Sequence, residues 1–125
     1  NHPEYSDTTN RVKLGSGIVI KHHANQNYTT DAFSSAIIKR IFDGAHVAYQ
    51  DFYTRSDMPC GGTLGAISSA QVSIKSVDIG IPQLAMHSAV ETMAASDYAA
   101  AKKGLIAFYS AKITADGDKS VNIEL

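Results

Sequence analysis

The chain has 125 residues, of which 44% are hydrophobic and 18% are charged, and its formal net charge at pH 7 is -1. This composition is typical of one globular domain with an ordinary core, and it excludes a disordered or repetitive chain. The near-zero charge gives no basic surface for nucleic acid, and no apolar run approaches the roughly 20 residues that cross a bilayer. We therefore expect no nucleic-acid partner and no membrane partner. Cys60 is the single cysteine, which excludes an internal disulfide and favours the cytoplasm.

The first residues carry no initiator methionine and no signal-peptide pattern, so the chain is interpreted as a fragment of a longer protein. Residues 1–14 are polar and are predicted to form an extended loop. The β-branched run Ile18-Val19-Ile20 follows two glycines and predicts a strand that is buried on both faces and ends at Lys21.

An amphipathic helix is predicted after this strand, with Thr30 as its N-cap and Gly44 near its end. Apolar and polar residues alternate over residues 47–53, which predicts a second strand. Residues 61–65 form a glycine-rich loop. A short helix or turn is predicted over residues 66–72, and a third strand over residues 74–81 that ends at Pro82.

The last part of the chain contains a second long helical pattern. Ser96 is its predicted cap, and Gly104 is expected to weaken the helix only locally. The expected buried stripe consists of the apolar residues at helical spacing, namely Tyr98, Ala101, Leu105, Phe108 and Tyr109. Residues 114–119 resemble a turn, and residues 121–125 are predicted to form a terminal strand.

Strands that alternate with helices predict a mainly parallel, layered α/β sheet. Reactive residues in such sheets lie in the loops beyond the carboxyl ends of the strands. Three loops satisfy that description, at residues 21–27, 57–65 and 82–88. Parallel strands would bring Lys21, the glycine-rich loop and His87 to one edge of the sheet.

His87 is the main candidate for chemistry. A neutral imidazole directly after a strand can ligate zinc or relay protons, but it can equally be a hydrogen-bonded structural histidine. Glu91 could orient the ring if this segment is helical, although it could also be a solvated helix residue. From the residues alone, these alternatives stay open.

Other candidates have weaker signals. Cys60 could be a nucleophile with His87 as its base, but a small buried thiol beside a tight turn is favoured. The glycine-rich loop lacks the lysine and the spacing of a phosphate-binding loop. His22 and His23 are adjacent and would point in opposite directions, which favours a solvated pair. Lys21 could neutralise a ligand carboxylate or simply be a surface lysine.

Several sequence blocks carry a resemblance to a known family. They are Asp57-Met58-Pro59-Cys60-Gly61-Gly62-Thr63-Leu64-Gly65, Val77-Asp78-Ile79-Gly80 and Pro82-Gln83-Leu84-Ala85-Met86-His87-Ser88. In order and spacing they resemble the C-terminal part of the M18 metallopeptidases, the aspartyl aminopeptidase family. Asn1-His2-Pro3-Glu4-Tyr5 and the segment from Ile20 to Tyr28 fit the same family, so the resemblance covers residues 1 to about 109.

The resemblance implies an α/β fold, a layered α/β/α zinc-exopeptidase-like sheet with helices on both faces, of which this chain is the C-terminal portion. It also implies a dinuclear zinc aminopeptidase that removes N-terminal residues from peptides, with a preference for Asp and Glu. By the same resemblance His87 is a metal ligand, and Lys21 and Tyr28 are substrate contacts. The Lys21 ammonium would pair with the acidic side chain of the substrate, and the Tyr28 phenol would donate a hydrogen bond.

The family's other metal ligands and its catalytic glutamate are expected upstream of Asn1, so no catalytic residue is assigned within this chain. Residues 1–125 would then be one fragment of a catalytic domain, without the domain that the family inserts for assembly. The remainder of the polypeptide and a tetrahedral homo-oligomer, a dodecamer, are the expected partners. By the same resemblance, Asn27 stands where many relatives carry arginine, so a loop contact there is expected to be absent. The alternative is a standalone, non-catalytic α/β binding or assembly module derived from a peptidase fold.

Overall fold

A computed structural model describes residues 4, 6–117 and 120–125. The block of family resemblance at residues 1–5 lies outside the described residues except for Glu4. The helices are α1 (Ala32–Gly44), α2 (Leu64–Gln71) and α3 (Ala95–Ser110). The strands are β1 (Ile18–His22), β2 (Tyr49–Tyr53), β3 (Ile79–Gly80), β4 (Gln83–Leu84), β5 (Thr92–Met93), β6 (Lys112–Asp116) and β7 (Ser120–Glu124). Within the described ranges, no helix has the length and apolar character to cross a bilayer.

The central sheet has the strand order β2-β1-β3, and its strands do not all run the same way. β1 is parallel to β2, with Ile18 opposite Tyr49, but it is antiparallel to β3, with Val19 opposite Gly80. The pairs β4-β5 and β6-β7 are also antiparallel, so the prediction of a mainly parallel sheet is wrong for the described strands. A parallel neighbour needs a crossover that carries the chain back along the sheet. Instead, the chain enters β3 from the carboxyl end of β1.

The predicted third strand is also shorter than expected. Of residues 74–81, only Ile79 and Gly80 form a strand. Ile74 is 64% exposed, and the neighbouring Lys75 forms an ion pair with Asp31 at 2.9 Å. This segment therefore runs along the surface, where its apolar residues gain little from burial.

The hydrophobic core lies between β1 and the helices α1 and α3. Its buried members are Ile18, Ile20, Ile38, Ile41, Phe42 and Val47. These helices pack on the face of β1 that carries Ile18 and Ile20. The mixed α/β class is confirmed, while a second helical layer on the opposite face remains a prediction for the longer protein.

Helix α1 begins one residue later than predicted. Asp31, rather than Thr30, is the N-cap, and its Oδ1 accepts a hydrogen bond from the Ser34 N–H at 2.6 Å. The Ser34 hydroxyl accepts in turn from the Asp31 N–H at 3.0 Å, which completes a capping box. Thr30 is buried, and its hydroxyl accepts instead from the Asp78 N–H at 2.8 Å.

Helix α3 presents its small residues to the core. The predicted buried stripe is therefore wrong for its large members, although Ala101 does pack against the core. Tyr98 is 56% exposed and Tyr109 is 81% exposed, as the large side chains point away from the sheet. Gly104 is buried, and a Cβ at its position would lie 2.7 Å from Ile18 Cδ1 and 2.8 Å from the Phe42 ring. The glycine therefore permits the close approach of α3 to the core, instead of merely weakening the helix.

The amino end of α3 is held by a buried carboxylate rather than by a serine cap. Ala94 occupies the N-cap position and makes no side-chain capping bond, so the predicted role of Ser96 is wrong. Asp97 is 0% exposed, and its two oxygens accept from the N–H groups of Gly15 at 2.7 Å and Gly17 at 2.8 Å. Asp97 thus ties the start of α3 to the turn that leads into β1.

The carboxyl-terminal strand is confirmed as β7, within a hairpin that the sequence pattern did not predict. β6 covers much of the expected turn at residues 114–119, of which residues 118 and 119 lie outside the described residues. Ile123 packs against the core, and this contact secures the hairpin against the sheet.

Candidate active site

Lys21 lies near the carboxyl end of β1, on the face opposite the core. Side chains alternate along a strand, so Val19 and Lys21 line a pocket of about 850 Å³ while Ile18 and Ile20 enter the core. Gly80 lies beside this position in β3, and a Cβ there would come within 2.9 Å of Lys21 Cε. The absence of a side chain at Gly80 therefore makes room for the lysine chain at the pocket.

Tyr28 lies next to Lys21 at the same pocket. The Lys21 Nζ is 5.6 Å from the centre of the Tyr28 ring, within the range of a cation–π interaction. The Cys60 thiol lies 3.2 Å from the Tyr28 hydroxyl. Burial, followed by the hydrogen bond and charge of Cys60, raises the pKa of Tyr28 to about 12. Tyr28 is therefore a neutral phenol at physiological pH, and its hydroxyl can donate a hydrogen bond to a ligand.

The remaining pocket lining is mostly apolar. It comprises Val12, Leu14, Val19, Phe52, Ile81, Pro82, Leu84 and Met86, with Ser6, Arg11, Gly80 and Gln83. Lys21 and Arg11 are its charged residues in the described part of the chain, and both are cationic. An apolar cavity with a few polar groups is typical of a ligand site, and the two cations favour a ligand that carries negative charge.

His87 follows Met86 at the edge of this pocket and is exposed. Its backbone has a φ of 67°, in the left-handed region, and its N–H donates to Glu91 Oε1 at 2.6 Å. Glu91 therefore holds the backbone of His87 rather than its ring, and the segment is not helical as that predicted role required. No described residue provides a hydrogen-bond partner for the imidazole, so the ring is available to a ligand.

The three predicted loops converge, but not by the predicted route. The loops after β1 and β2 meet because these strands are parallel, and the Asn27 amide donates to the Cys60 carbonyl at 3.0 Å. Asn27 therefore makes a contact between these two loops, although its place in the family resemblance predicted that a loop contact there would be absent. Because β3 is antiparallel, the expectation of one shared carboxyl edge is wrong for the His87 loop. That segment reaches the pocket through Leu84 and Met86 instead.

Cys60 makes its contacts with Tyr28 and the surrounding loop, and not with His87. Its thiol lies 3.2 Å from the Tyr28 hydroxyl, and it accepts from the Thr54 hydroxyl at 3.7 Å. These contacts fit the structural interpretation of the thiol, because a nucleophile would need a neighbouring base. The glycine-rich loop accordingly serves to join the elements around Tyr28.

His22 and His23 are both engaged with the protein, so the prediction of a solvated pair is wrong. His22 Nε2 lies 2.8 Å from Asp51 Oδ1, and its ring stacks on Tyr53 at a centroid distance of 4.7 Å. His23 is 9% exposed and accepts from the Asn27 N–H at 3.4 Å. The two rings do point to different partners, as expected from the alternation of a strand.

Asp78 is a central residue of the site that sequence reasoning did not single out. Its Oδ2 accepts from the Thr29 N–H at 2.8 Å and from the hydroxyls of Thr29 and Thr63, each at 3.1 Å. The sequence signal that could have identified Asp78 is its position between the apolar residues Val77 and Ile79. A carboxylate in such a segment is expected to be partly buried, and it then requires hydrogen-bond donors.

The described residues do not form a metal centre by themselves. A catalytic zinc ion takes about three protein ligands, and no group of three or more His, Cys, Asp or Glu side chains gathers in residues 4, 6–117 and 120–125. The exposed imidazole of His87 can provide one ligand. A zinc site therefore requires further ligands from outside the described residues.

Comparisons with known proteins identify the family. The family described as aminopeptidase I zinc metalloprotease (M18) matches residues 1–109. A probable aspartyl aminopeptidase of Ricinus communis is 40% identical over 124 residues, which cover 92% of this chain and 25% of the relative. A probable M18 family aminopeptidase 2 of Mycobacterium leprae (strain TN) is 40% identical over 113 residues, covering 90% of this chain and 26% of the relative.

A solved structure supports the same assignment. A chain in the cryo-EM structure of the Ape4 and Nbr1 complex has a TM-score of 0.82 and 34% identity, over 87% of this chain and 21% of that chain. The present chain spans about a quarter of the length of the curated relatives it matches. The match over residues 1–109 includes most of the sequence, and it confirms the resemblance drawn from the sequence blocks. The chain belongs to the M18 family of zinc metalloproteases.

Proposed function

We propose that this chain is the C-terminal part of the catalytic domain of an M18 aminopeptidase, and that it holds the N-terminal residue of a peptide substrate. The observation that carries the proposal is the pairing of Lys21 with Tyr28 at an apolar pocket, with the Lys21 Nζ 5.6 Å from the ring centre. The proposed preference is for an N-terminal Asp or Glu.

The charges around the pocket support an acidic substrate. Lys21 has no carboxylate partner among the described residues, whereas Lys39 and Lys75 are paired with Asp51 and Asp31. An ammonium at an apolar wall gains most from an incoming carboxylate. A neutral substrate side chain would leave this cation unpaired, so the pocket would discriminate against it.

Tyr28 would orient the substrate through its hydroxyl. Because its pKa is raised to about 12, the phenol keeps its proton throughout the physiological range. A neutral hydroxyl can donate to a peptide carbonyl and can stabilise negative charge that develops on that oxygen. The proposed role of Tyr28 is therefore to bind and orient the substrate, with no proton transfer at neutral pH.

His87 would contribute one imidazole ligand to a zinc centre. Its exposed ring and its position next to Met86 of the pocket support the proposal of a metal ligand beside the substrate. In this proposal the other ligands, a second zinc ion and the general base come from the rest of the polypeptide. The hydrolytic step thus depends on residues outside this chain.

The substrate preference is tested by Lys21→Met in the longer M18 protein. Loss of a buried charge partner costs about 2–5 kcal/mol, and each 1.4 kcal/mol corresponds to a factor of ten. We expect the ratio of kcat/KM for peptides beginning with Asp over those beginning with Ala to fall about 100-fold. Lys102→Met, on an exposed part of α3, is the matched control and should leave the ratio unchanged. The same ratio in both variants would refute the role of Lys21.

The metal role is tested by measuring zinc content. His87→Ala should reduce the bound zinc and abolish hydrolysis, because an imidazole ligand is lost. His46→Ala is the control, since His46 is also an exposed histidine but follows the carboxyl-terminal cap of α1 and does not line the pocket. Unchanged zinc content in the His87 variant would contradict the assignment.

The expected assembly and location remain part of the proposal. The longer protein is proposed to be a tetrahedral homo-oligomer in the cytoplasm, where the Cys60 thiol would stay reduced. The alternative of a standalone, non-catalytic module predicts a purified protein without bound zinc and without peptidase activity. Sedimentation and metal analysis of the same preparation address both points.

A further inference from the structure

Asp78 joins four separate segments at the edge of the pocket. Its carboxylate receives the three hydrogen bonds from Thr29 and Thr63 described above. Its backbone adds two more, because its N–H donates to the Thr30 hydroxyl at 2.8 Å and its carbonyl accepts from the Lys21 N–H at 2.9 Å. One residue thereby connects β1, the loop before α1, the glycine-rich loop and β3.

The contact with Thr63 shows that these connections displace an ordinary local interaction. Thr63 is the N-cap of α2, where a threonine hydroxyl usually accepts from a backbone N–H of the first turn. Here it makes no such bond and donates to Asp78 instead. Gly65 allows this approach, because a Cβ there would lie 2.9 Å from Asp78 Oδ2 and 2.9 Å from Thr29 Cγ2.

The segments that Asp78 connects are those that carry the proposed substrate contacts. Thr29 follows Tyr28 directly, and the backbone of Lys21 is held by the Asp78 carbonyl. On the other side of Tyr28, the thiol of Cys60 lies 3.2 Å from its hydroxyl, and Cys60 belongs to the loop that Thr63 fixes. A shift of the Asp78 carboxylate would therefore move both sides of Tyr28 relative to the lysine.

We propose that Asp78 is a positioning residue that sets the geometry of Lys21 and Tyr28, and thereby the selectivity for an acidic substrate residue. This inference rests on the proposed function and extends it to a residue that does not line the pocket. The glycine-rich loop contributes to this arrangement in two ways. It follows directly on Cys60, which contacts Tyr28, and its Gly65 leaves the room that the Asp78 carboxylate occupies.

The structural part of the proposal is tested on this chain through Cys60, its single thiol. The rate of alkylation by iodoacetamide is measured in buffer and in concentrated urea. In the wild-type chain we expect slower reaction in buffer than in urea, and Asp78→Asn should raise the buffer rate about tenfold, because a charged acceptor for several donors is lost. Asp116→Asn, on the exposed strand β6, is the matched control and should have no effect.

A pair of variants at Thr63 separates the hydrogen bond from general loosening. Thr63→Val keeps the shape but removes the hydroxyl, and should raise the alkylation rate about fivefold, whereas Thr63→Ser keeps the donor and should stay within about twofold of wild type. The positioning role would be overturned if the wild-type chain were alkylated at the same rate in buffer as in urea. It would also be overturned if Asp78→Asn and Asp116→Asn were alkylated at the same rate in buffer.

The effect on selectivity is measured in the longer protein. Asp78→Asn should raise KM for peptides beginning with Asp more than for those beginning with Ala, in the same direction as Lys21→Met. If Lys21→Met lowers the selectivity ratio and Asp78→Asn does not, the inference about Asp78 is wrong while the proposed function stands. If Lys21→Met leaves the ratio unchanged, the proposed substrate role fails, and the alkylation rates alone decide whether Asp78 positions the loops.

Discussion

The two faces of β1 differ in how they are covered, although both carry buried side chains. Ile18 and Ile20 are 1% and 0% exposed beneath α1 and α3, and Val19 on the other face is 5% exposed. The first face is closed by helices at contact distance, whereas the second opens into a pocket of about 850 Å³. The difference separates the part of the strand that stabilises the fold from the part that can bind a ligand.

Polar groups are also used differently on the two sides. On the core side, the fully buried carboxylate of Asp97 accepts from two backbone N–H groups and so has a structural role. On the pocket side, Lys21 and Tyr28 contact each other and remain partly exposed, so they can exchange these contacts for a ligand. A ligand site requires groups that are held in place but still accessible.

The largest difference between the faces should appear in a matched pair of phenylalanine substitutions. Phe42 is 0% exposed in the core, and Phe42→Ala should lower the free energy of unfolding by about 3–5 kcal/mol, because it leaves a cavity. Phe52 lines the pocket, and Phe52→Ala should cost only about 1–2 kcal/mol, since the site is already open to solvent. Urea unfolding of both variants provides the measurement. Equal losses would show that the two faces do not differ in packing.

A smaller effect is expected at the amino end of α3, where neighbouring polar residues face opposite sides. Asp97→Ala should lower the free energy of unfolding by about 1–3 kcal/mol, because the N–H groups of Gly15 and Gly17 lose their acceptor. Ser96→Ala should change it by less than about 0.5 kcal/mol, since Ser96 is exposed and is not the cap. Thermal and urea unfolding distinguish the two variants, and a larger loss for Ser96 would restore the sequence-based prediction.

The smallest effect should come from Tyr28 on the pocket side, as a decrease in the free energy of unfolding at alkaline pH. The pKa of Tyr28 is raised from 10.0 to about 12, first by burial and then by Cys60. The folded state therefore favours the protonated phenol, so its contribution to stability is complete below pH 10 and is lost as the pH rises towards about 12. Tyr28→Phe should remove this part of the alkaline decline, while Tyr109→Phe on the exposed face of α3 should not. Urea unfolding at several pH values between 9 and 12 tests the difference, and identical profiles for wild type and Tyr28→Phe would contradict it.

Much of the candidate site could be predicted from the sequence because its residues belong to continuous blocks. Lys21 and His87 were proposed from local context and from the family resemblance, and Tyr28 from the resemblance alone. Lys21 and Tyr28 do lie together at the pocket. Local sequence could mark Asp78 only as a carboxylate between apolar residues, and it could not identify the partners Thr29 and Thr63, which are 49 and 15 residues away in the chain. Nor could it show that β3 is antiparallel to β1, since strand direction depends on how the chain returns to the sheet.

Helix α3 shows where local sequence stops being decisive. Its composition was enough to predict a helix over most of residues 95–110, because alanine and other strong helix formers fill it. The choice of buried face followed from the tertiary structure, in which Gly104 meets Ile18 and Phe42 more closely than any larger side chain could. A hydrophobicity pattern records the size and polarity of residues, but not the distance at which a helix must pack.

The sequence by itself thus determined the family, the principal helices, the first two strands and the individual candidate residues. Only the tertiary structure decided which side of β1 is core and which is pocket, how the His87 segment reaches that pocket, and which carboxylates hold the surrounding loops. The physical reason is that helix and strand formation depends largely on near neighbours, whereas close packing and the satisfaction of buried polar groups depend on residues far apart in the chain.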